Sequence, residues 1–172
     1  MRSAAGRSNH NVGHAELRPE VRSAAGRSNL EYRLANPHDA DALASSAADV
    51  FDDPVDPTLT AEFLSDPRHH LAIAIDDGRI VGMASGVHYI HPDKASELWV
   101  NEVGVAPEYR GRGIGRRVLA VLLDHGRSLG CGEAWLLTDD DNAAARRMYA
   151  AAGGRETPPQ IMIEFDLQKD AR

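Results

Sequence analysis

The chain has 172 residues and a mass of 18.6 kDa, enough for one domain with a buried core and too little for two ordinary ones. Hydrophobic residues make up 42% and charged residues 26%, a balance that is typical of globular proteins and excludes a disordered or fibrous chain. The formal net charge of -7 opposes non-specific binding to nucleic acid, because phosphates attract clustered Lys and Arg.

Cysteine and histidine usage indicates the cellular setting. The single cysteine, Cys131, cannot close an intrachain disulfide, which favours a reducing, cytoplasmic location. No run of about 18 uncharged apolar residues is present, and the N-terminus lacks the apolar stretch of a secretory signal, so we expect no membrane partner.

His88 and His91 do not build a metal site by themselves, and we expect them on the surface or on the wall of a cleft. No metal is therefore expected.

The N-terminal segment contains a literal duplication, because RSAAGRSN occupies residues 2–9 and again 22–29. Few large apolar residues occur there, so the segment cannot bury enough surface to offset the entropy of ordering it. We therefore predict a disordered tail over residues 1–29 and a single domain over residues 30–172.

The ordered part begins with an apolar alternation that predicts a strand over 30–34. Asn36, followed by Pro37, can begin a helix that runs to residue 50. Thr58 or Thr60 can cap a second, short helix. The pattern then predicts strands at 70–75, 79–89 and 97–105, a helix at 113–129, a strand at 134–138, a helix at 142–152 and a last strand at 161–167. A hairpin signal, Asp76-Asp77-Gly78, joins the first two of these strands, which should therefore be antiparallel. The helices and strands together predict a mixed α/β core.

A glycine-rich loop between the 97–105 strand and the following helix is the main candidate for chemistry. Glycines allow a tight turn and close approach of a ligand, while free N–H groups at a helix start stabilise anionic oxygens. The spacing gives neither the GxGxxG motif of dinucleotide-binding folds nor a Walker loop. The loop therefore predicts a pyrophosphate-binding site, and the alternative is a plain turn with solvated arginines.

The pattern Arg-x-x-Gly-x-Gly, met by Arg110, Gly113 and Gly115, resembles the acetyl-CoA signature of the GNAT superfamily of N-acetyltransferases. A second pattern, from Asn142 through Tyr149 to a glycine, is similar to the superfamily's second cofactor-side motif on a helix. The resemblance covers nearly everything after the tail. It implies a GNAT-like α/β fold, in which helices flank a mixed, mainly antiparallel central sheet and splayed strands form the acetyl-CoA cleft.

The resemblance also implies how acetyl-CoA, the expected cosubstrate, is bound. The strand segment 103–105 would hold the pantetheine arm through its backbone and leave the thioester beside Glu102, and a backbone N–H of this segment would stabilise the oxyanion. The residues expected at the cofactor are Val103, Val105, Arg110, Gly111, Arg112, Gly113, Ile114, Gly115, Arg116 and Asn142.

Two residues are expected at the reacting centre, where direct attack would proceed through a tetrahedral intermediate. Amide formation needs an unprotonated amine and a proton for the departing thiolate. Glu102 is expected to be the general base, and the alternative is a carboxylate that only binds a cationic substrate. Tyr149 matches the tyrosine that protonates the thiolate in many GNAT members, and its alternative role is packing in the core.

Asp-rich stretches predict a cationic acceptor, because clustered carboxylates attract ammonium groups over long distances. In the GNAT fold both stretches would flank the acceptor cleft, and the alternative is a set of solvated loops and helix caps. The carboxylates expected to bind the acceptor are those of Asp53, Asp56, Glu102, Asp139, Asp140 and Asp141.

Within the superfamily, the segments NEVGV, TDDDNAA and IEFDL resemble aminoglycoside 3-N-acetyltransferases. This resemblance implies acetylation of an aminoglycoside antibiotic at its 3-N position, and hence antibiotic resistance. The alternatives are an enzyme that acetylates a peptide amine, a lysine or a polyamine, and a non-catalytic acyl-CoA sensor. The superfamily also implies a homodimer.

Overall fold

The structure, a computed structural model, describes residues 29–157 and 161–167. Nearly all of the predicted tail lies outside these residues. In the described part, no helix has the length and apolar character needed to cross a membrane. The strands are β1 (Glu31–Leu34), β2 (His69–Asp76), β3 (Arg79–Tyr89), β4 (Glu97–Val105) and β5 (Glu133–Trp135), and the α-helices are α1 (Ala40–Ala44), α2 (Pro57–Ser65), α3 (Ile114–Ser128) and α4 (Ala143–Ala151).

The described strands form one sheet in the order β1-β2-β3-β4-β5, in which the first four run antiparallel and β5 runs parallel to β4. The tight turn between β2 and β3 contains Asp77 and Gly78, both at positive φ (49° and 79°). This combination is typical of the turns that match the right-handed twist of a hairpin. The predicted mixed, mainly antiparallel sheet is confirmed.

Helices cover both faces of the sheet. On one face, α3 lies so close that a Cβ added to Gly82 of β3 would come within 2.8 Å of Ile114. On the other face, a Cβ added to Gly104 of β4 would come within 1.9 Å of the carbonyl oxygen of Val50, in the segment between α1 and α2. Glycine at these two positions therefore allows both layers to approach the backbone of the sheet.

The two strands β4 and β5 separate along their length. β5 pairs only with residues Glu97, Leu98 and Trp99 of β4. From Val100 to Val105, β4 pairs with β3 on one edge, and no described strand pairs with the other edge. We call the main-chain groups of 100–105 on this side the free edge of β4. The expected splayed cleft is confirmed by this arrangement.

The first two helices differ from the prediction. The helix expected to reach residue 50 ends at Ala44, with Ser45 as its C-cap. Asp49 then adopts a left-handed φ of 56°. α2 is capped by Asp56 and not by a threonine, since Asp56 Oδ1 accepts hydrogen bonds from two main-chain N–H groups at 2.8 and 2.9 Å.

The C-terminal strands also differ from the prediction. The strand expected at 134–138 is limited to Glu133–Trp135. The strand expected at 161–167 is absent, and its end residues Ile161 and Leu167 are each 90% exposed. A strand needs partners for its main-chain N–H and C=O groups, and no described strand pairs with this segment. The apolar alternation there therefore did not predict the local structure.

Candidate functional site

A cavity of about 410 Å³ opens on the face of the sheet opposite α3. Its floor is a row across three strands, in which Leu71 of β2 lies opposite Ser85 of β3, and Ser85 lies opposite Glu102 of β4. The remaining lining residues are Leu43, Phe51, Asp52, Asp53, Pro54, Val55, Asp56, Leu59, Thr60, Phe63 and Asn101. The cavity thus combines carboxylates with a largely apolar wall.

A β-bulge in β4 directs two consecutive side chains into this cavity. Ser85 pairs with Glu102, but the next residue of β3, Gly86, pairs with Val100, so Asn101 is an extra residue on β4. In a regular strand, Asn101 and Glu102 would point to opposite faces, whereas a bulge lets neighbouring residues share one face. Both residues line the cavity. The bulge therefore helps to build the site.

The surroundings of Glu102 in the cavity raise the pKa of its carboxyl group. Burial raises its pKa, and the negative charge of Asp52 raises it further, whereas a hydrogen bond from the Asp52 backbone N–H opposes the rise. A carboxylate with a raised pKa holds a proton more strongly than a surface carboxylate does. Glu102 is therefore a better proton acceptor than an exposed carboxylate.

The structure brings some of the predicted acceptor-binding carboxylates together and leaves others apart. Asp53, Asp56 and Glu102 line the cavity. The exposed segment 139–141 does not line it, and Asp140 instead pairs with Arg146 at 3.0 Å. The cavity therefore gathers three of the six predicted residues.

The glycine-rich loop has the geometry expected of an anion site. Gly111 and Gly113 adopt left-handed φ values of 75° and 77°, and a Cβ added to either would meet no atom within 4 Å. Gly113 is the N-cap of α3, a helix of 15 residues whose first turn contains no acidic residue. Ile114, predicted at the cofactor, is 1% exposed as a whole residue, and its side chain packs in the core. Free N–H groups at such a helix start fit a pyrophosphate.

The arginines of this loop are all exposed, as binding to an anion requires. Arg110 folds back so that its Nε donates a hydrogen bond to the Val105 carbonyl at 2.9 Å, which fixes the loop to the end of β4. The guanidinium of Arg112 lies over the Tyr109 ring at 5.0 Å from the ring centroid. Arg116 lies in the first turn of α3. The loop therefore combines main-chain donors with positive charge.

Gly115 is the point where the predicted cofactor elements meet. A Cβ added there would lie 2.9 Å from the Met148 sulfur of α4, 3.5 Å from Val105 and 3.7 Å from Val103. The first turn of α3, the second-motif helix and the end of β4 are thus in contact. The two sequence motifs form one continuous surface in the fold.

The second motif contributes a cap and a partly buried phenol. Asn142 Oδ1 accepts a hydrogen bond from the Ala145 N–H at 3.1 Å and caps α4, so this oxygen serves the helix. Tyr149 follows Met148 on α4 and packs against the core, and burial raises its pKa. Tyr149 does not line the cavity of Glu102. It lies on the cofactor-motif side of the domain.

Several cavity residues were not predicted from the sequence. Asp52 influences the pKa of Glu102, and Ser85 lies opposite Glu102. The two-residue turn after β2 would by itself align Leu71 with Ala84, and a bulge at Val81 of β3 shifts the register so that Leu71 lies opposite Ser85. The alignment of Ser85 with Glu102 depends on the bulge at Asn101. The sequence gives no signal for either bulge.

A chain of three histidines was also missed. His70 Nε2 lies 2.7 Å from His88 Nδ1, and His70 Nδ1 lies 3.0 Å from His125 Nε2 on α3. The prediction placed His88 on the surface or on the wall of a cleft. In the structure His88 does not line the cavity and is instead hydrogen-bonded to His70 on the α3 face. Within the described residues, no group of three or more His, Cys, Asp or Glu residues is arranged to hold a metal ion.

Solved structures share this fold. An aminoglycoside acetyltransferase, meta-AAC0020 from an uncultured soil metagenomic sample, in complex with sisomicin, superposes with a TM-score of 0.70 at 13% identity over 80% of this chain and 96% of that chain. The aminoglycoside N-acetyltransferase AAC(6')-Iy in complex with CoA superposes with a TM-score of 0.67 at 20% identity over 80% of this chain and 95% of that chain. At these identities the similarity establishes the fold alone.

Sequence comparison identifies the family. N-alpha-acetyltransferase RimI of Mycobacterium tuberculosis is 40% identical over 91 residues, which cover 52% of this chain and 57% of RimI. The match thus spans little more than half of the length of that relative. The sequence profile of the Acetyltransferase (GNAT) family, whose enzymes use acetyl-CoA, matches residues 38–153. The chain therefore belongs to the GNAT acetyltransferase family.

Proposed function

We propose that the chain transfers the acetyl group of acetyl-CoA to a primary amine of a cationic acceptor bound in the cavity. The position of Glu102 carries this proposal. Glu102 lines the acidic cavity and also directly precedes residues 103–105, the end of the free edge of β4. A carboxylate at the border of two binding regions can take a proton from an amine that is held beside an acyl group.

The loop and the free edge of β4 are the proposed cofactor site. Acetyl-CoA supplies the acetyl group as an activated thioester. First-turn N–H groups of α3 and the exposed side chains of Arg110, Arg112 and Arg116 would bind the pyrophosphate, because both carry positive charge. Main-chain groups at 103–105 would bind the amide-containing arm. Asn142 would contribute from the start of α4, which packs beside Gly115.

Glu102 has two proposed roles, which occur in succession. Its charge, together with that of Asp52, first attracts the ammonium form of the acceptor. Glu102 then accepts a proton from the nitrogen, directly or through a water, and this frees the lone pair of the amine. A main-chain N–H of the free edge, near Val103 or Val105, would donate a hydrogen bond to the acetyl oxygen as negative charge develops there.

Tyr149 is the proposed proton donor for the departing thiolate. Its neighbour Met148 contacts Gly115 at the start of the cofactor-binding helix, which supports a location on the cofactor side. Burial raises the pKa of the phenol and keeps it protonated at neutral pH. A protonated phenol can donate to a leaving sulfur.

An aminoglycoside, acetylated at the 3-N position, is the first candidate acceptor and would make the protein a resistance enzyme. The carboxylates of Asp53, Asp56 and Glu102 support a polycation, because ammonium groups are attracted to clustered negative charge. Several solved proteins of this fold are aminoglycoside acetyltransferases. The segment 139–141 could bind outer ammonium groups of such a ligand.

A peptide amine is the second candidate acceptor, and the apolar wall of the cavity favours it. Phe51, Val55, Leu59 and Phe63 line the cavity beside the apolar floor residue Leu71. An apolar side chain next to the reacting amine would bury surface against this wall, whereas the hydroxyl groups of a sugar would lose hydrogen bonds to water there. The similarity to an N-alpha-acetyltransferase also supports this candidate.

Release of CoA from acetyl-CoA, followed with a thiol-reactive dye, tests the proposed function. The acceptors are gentamicin, kanamycin, spermidine, a lysine peptide, and a peptide with an N-terminal phenylalanine. The same phenylalanine peptide with a blocked N-terminus is the matched control. Turnover with an aminoglycoside alone would select the first candidate, and turnover with the free peptide alone the second. Acetyl-CoA binding without any amine-dependent release would contradict the proposal and favour an acyl-CoA sensor.

A further inference from the structure

We propose that the hydroxyl group of Ser85 binds the acceptor amine together with Glu102. This inference rests on the proposed function and specifies how the nitrogen is held. Ser85 matches no family motif in the sequence, and its place in the cavity follows only from the paired strands β2, β3 and β4.

The Ser85 hydroxyl is an unpaired polar group among the described residues. Ser85 is 7% exposed, and its Oγ is buried without a hydrogen-bond partner among the described residues. Buried polar atoms nearly always have a partner, so an exception calls for an explanation. Because Ser85 lines the cavity, rotation about its Cα–Cβ bond would turn this buried hydroxyl toward a bound molecule. The missing partner is therefore assigned to the acceptor.

Ser85 is aligned with Glu102 across the β3–β4 pair. The two residues lie directly opposite each other on β3 and β4, and both line the cavity. Cβ atoms of directly opposed residues in an antiparallel pair are about 5 Å apart. One nitrogen can therefore donate one N–H to the Glu102 carboxylate and a second N–H to Ser85 Oγ.

This arrangement has a consequence for proton transfer. When the N–H that points to Glu102 gives its proton to the carboxylate, the bonding electrons stay on the nitrogen as a lone pair. The second N–H keeps its hydrogen bond to Ser85 Oγ. The nitrogen therefore keeps its position while its charge changes. Ser85 is therefore a binding residue that orients the amine, and Glu102 alone takes the proton.

On the side away from Glu102, the neighbour of Ser85 is an apolar residue of β2. Leu71 lies opposite Ser85 on β2, so the floor of the cavity changes from carboxylate to hydroxyl to apolar side chain within one row. A substituent on a nitrogen bound between Glu102 and Ser85 meets Leu71 where it extends across β3 toward β2. The row therefore fits a primary amine on an apolar carbon.

The test compares wild type with Ser85→Ala in the CoA-release assay, with the panel acceptor that wild type turns over best. The KM for this acceptor should rise about tenfold, since one hydrogen bond to the amine is lost. The KM for acetyl-CoA should not change. The melting temperature of the free protein should not fall, because no hydrogen bond of the folded chain is removed. Ser85→Thr keeps the hydroxyl and should restore most of the acceptor affinity.

Ser128→Ala is the matched control. It also removes one hydroxyl, whose Oγ donates to the His125 carbonyl at 2.7 Å at the end of α3, on the other face of the sheet. This variant should leave the KM for both substrates unchanged.

Three results would overturn the inference. An unchanged acceptor KM in Ser85→Ala, with wild-type turnover intact, removes the role of Ser85 and leaves the proposed function standing. A lower melting temperature together with a higher KM for both substrates would identify a structural serine. Absence of amine-dependent turnover in wild type would overturn the proposed function, and the role of Ser85 with it.

Discussion

His70 and Ser85 lie on adjacent strands and are equally buried, at 7% exposure each, yet their hydrogen bonding differs. His70 faces α3, and both of its ring nitrogens are hydrogen-bonded to other histidines. Ser85 faces the cavity, and its hydroxyl has no partner among the described residues. The buried His70 on the α3 face is thus satisfied within the chain, whereas the buried Ser85 on the cavity face is the group for which we propose a ligand as partner. We expect His70 to serve the stability of the fold and Ser85 to serve binding.

Packing separates the two faces in the same way. On the α3 face, the apolar stripe of α3, which includes Val118 and Leu122, is fully buried against the sheet. On the cavity face, the segment between α1 and α2 touches β4 at Gly104 but leaves an open volume above Ser85 and Glu102. Substitutions on the cavity face should therefore change activity, and substitutions on the α3 face should change stability.

The largest effect is expected from Glu102→Gln on the cavity face. The amide cannot accept the proton of the amine, so kcat should fall by about a hundredfold or more. Acetyl-CoA binding, measured by calorimetry, should be unchanged, and the melting temperature should not fall. Loss of acetyl-CoA binding equal to the loss of rate would contradict the assignment of Glu102 as the base.

On the α3 face, stability should depend on pH between 6.5 and about 4. The pKa of His70 is lowered from 6.5 to about 4, mainly by burial and also by the neighbouring His125 and His88, with a smaller contribution from His69 and an opposing one from Asp66. The folded ring is neutral in this range while the unfolded ring binds a proton, so stability falls as pH falls. The full effect of His70 is about 3 kcal/mol.

Urea unfolding at pH 7.5 and pH 4.5 measures this dependence. The variant His70→Phe should show a flatter profile over the same range, because it has no proton to bind. A profile as steep as that of wild type would mean that other groups, such as carboxylates, cause the loss of stability.

A smaller effect is expected from Gly113→Ala, with Gly78→Ala as the matched control. Both glycines have similar positive φ values, 77° and 79°, and an added Cβ at either would meet no atom within 4 Å. Each substitution should therefore destabilise the fold by about 1 kcal/mol through backbone strain. Only Gly113 is the N-cap of the proposed pyrophosphate-binding helix, so only Gly113→Ala should raise the KM for acetyl-CoA, by about tenfold. An equal rise in both variants would remove the loop from the cofactor site.

Much of the sheet could be predicted from the sequence. The bounds predicted for β3 and β4 agree with the structure, because long apolar runs ended at a clear turn signal or at the glycine-rich loop. The segment 161–167 has the same kind of alternation but forms no strand. Periodicity indicates which faces a strand would have, but does not indicate which strand would pair with it.

Motifs predicted part of the site, and clustered carboxylates predicted Asp53 and Asp56, which line the cavity. The loop around Gly113 and the position of Glu102 before the end of β4 followed from the sequence, and Glu102 lines the cavity. Ser85 was missed because its alignment with Glu102 depends on the bulge at Asn101. The effect of Asp52 on Glu102 was not predicted because it depends on where the helix after β1 stops. Both features are set by tertiary packing and local side-chain bonding, and spacing along the chain does not encode them.

The most direct test of acetyl transfer at Glu102 is mass spectrometry of the acceptor after incubation with wild-type enzyme and acetyl-CoA. Release of CoA alone does not distinguish transfer from hydrolysis, whereas the mass of the acceptor does. The account predicts that one amine gains a single acetyl group with wild type, and that Glu102→Gln slows this gain strongly while still binding acetyl-CoA. CoA release without any acetylated amine, or equal product from both proteins, would contradict it.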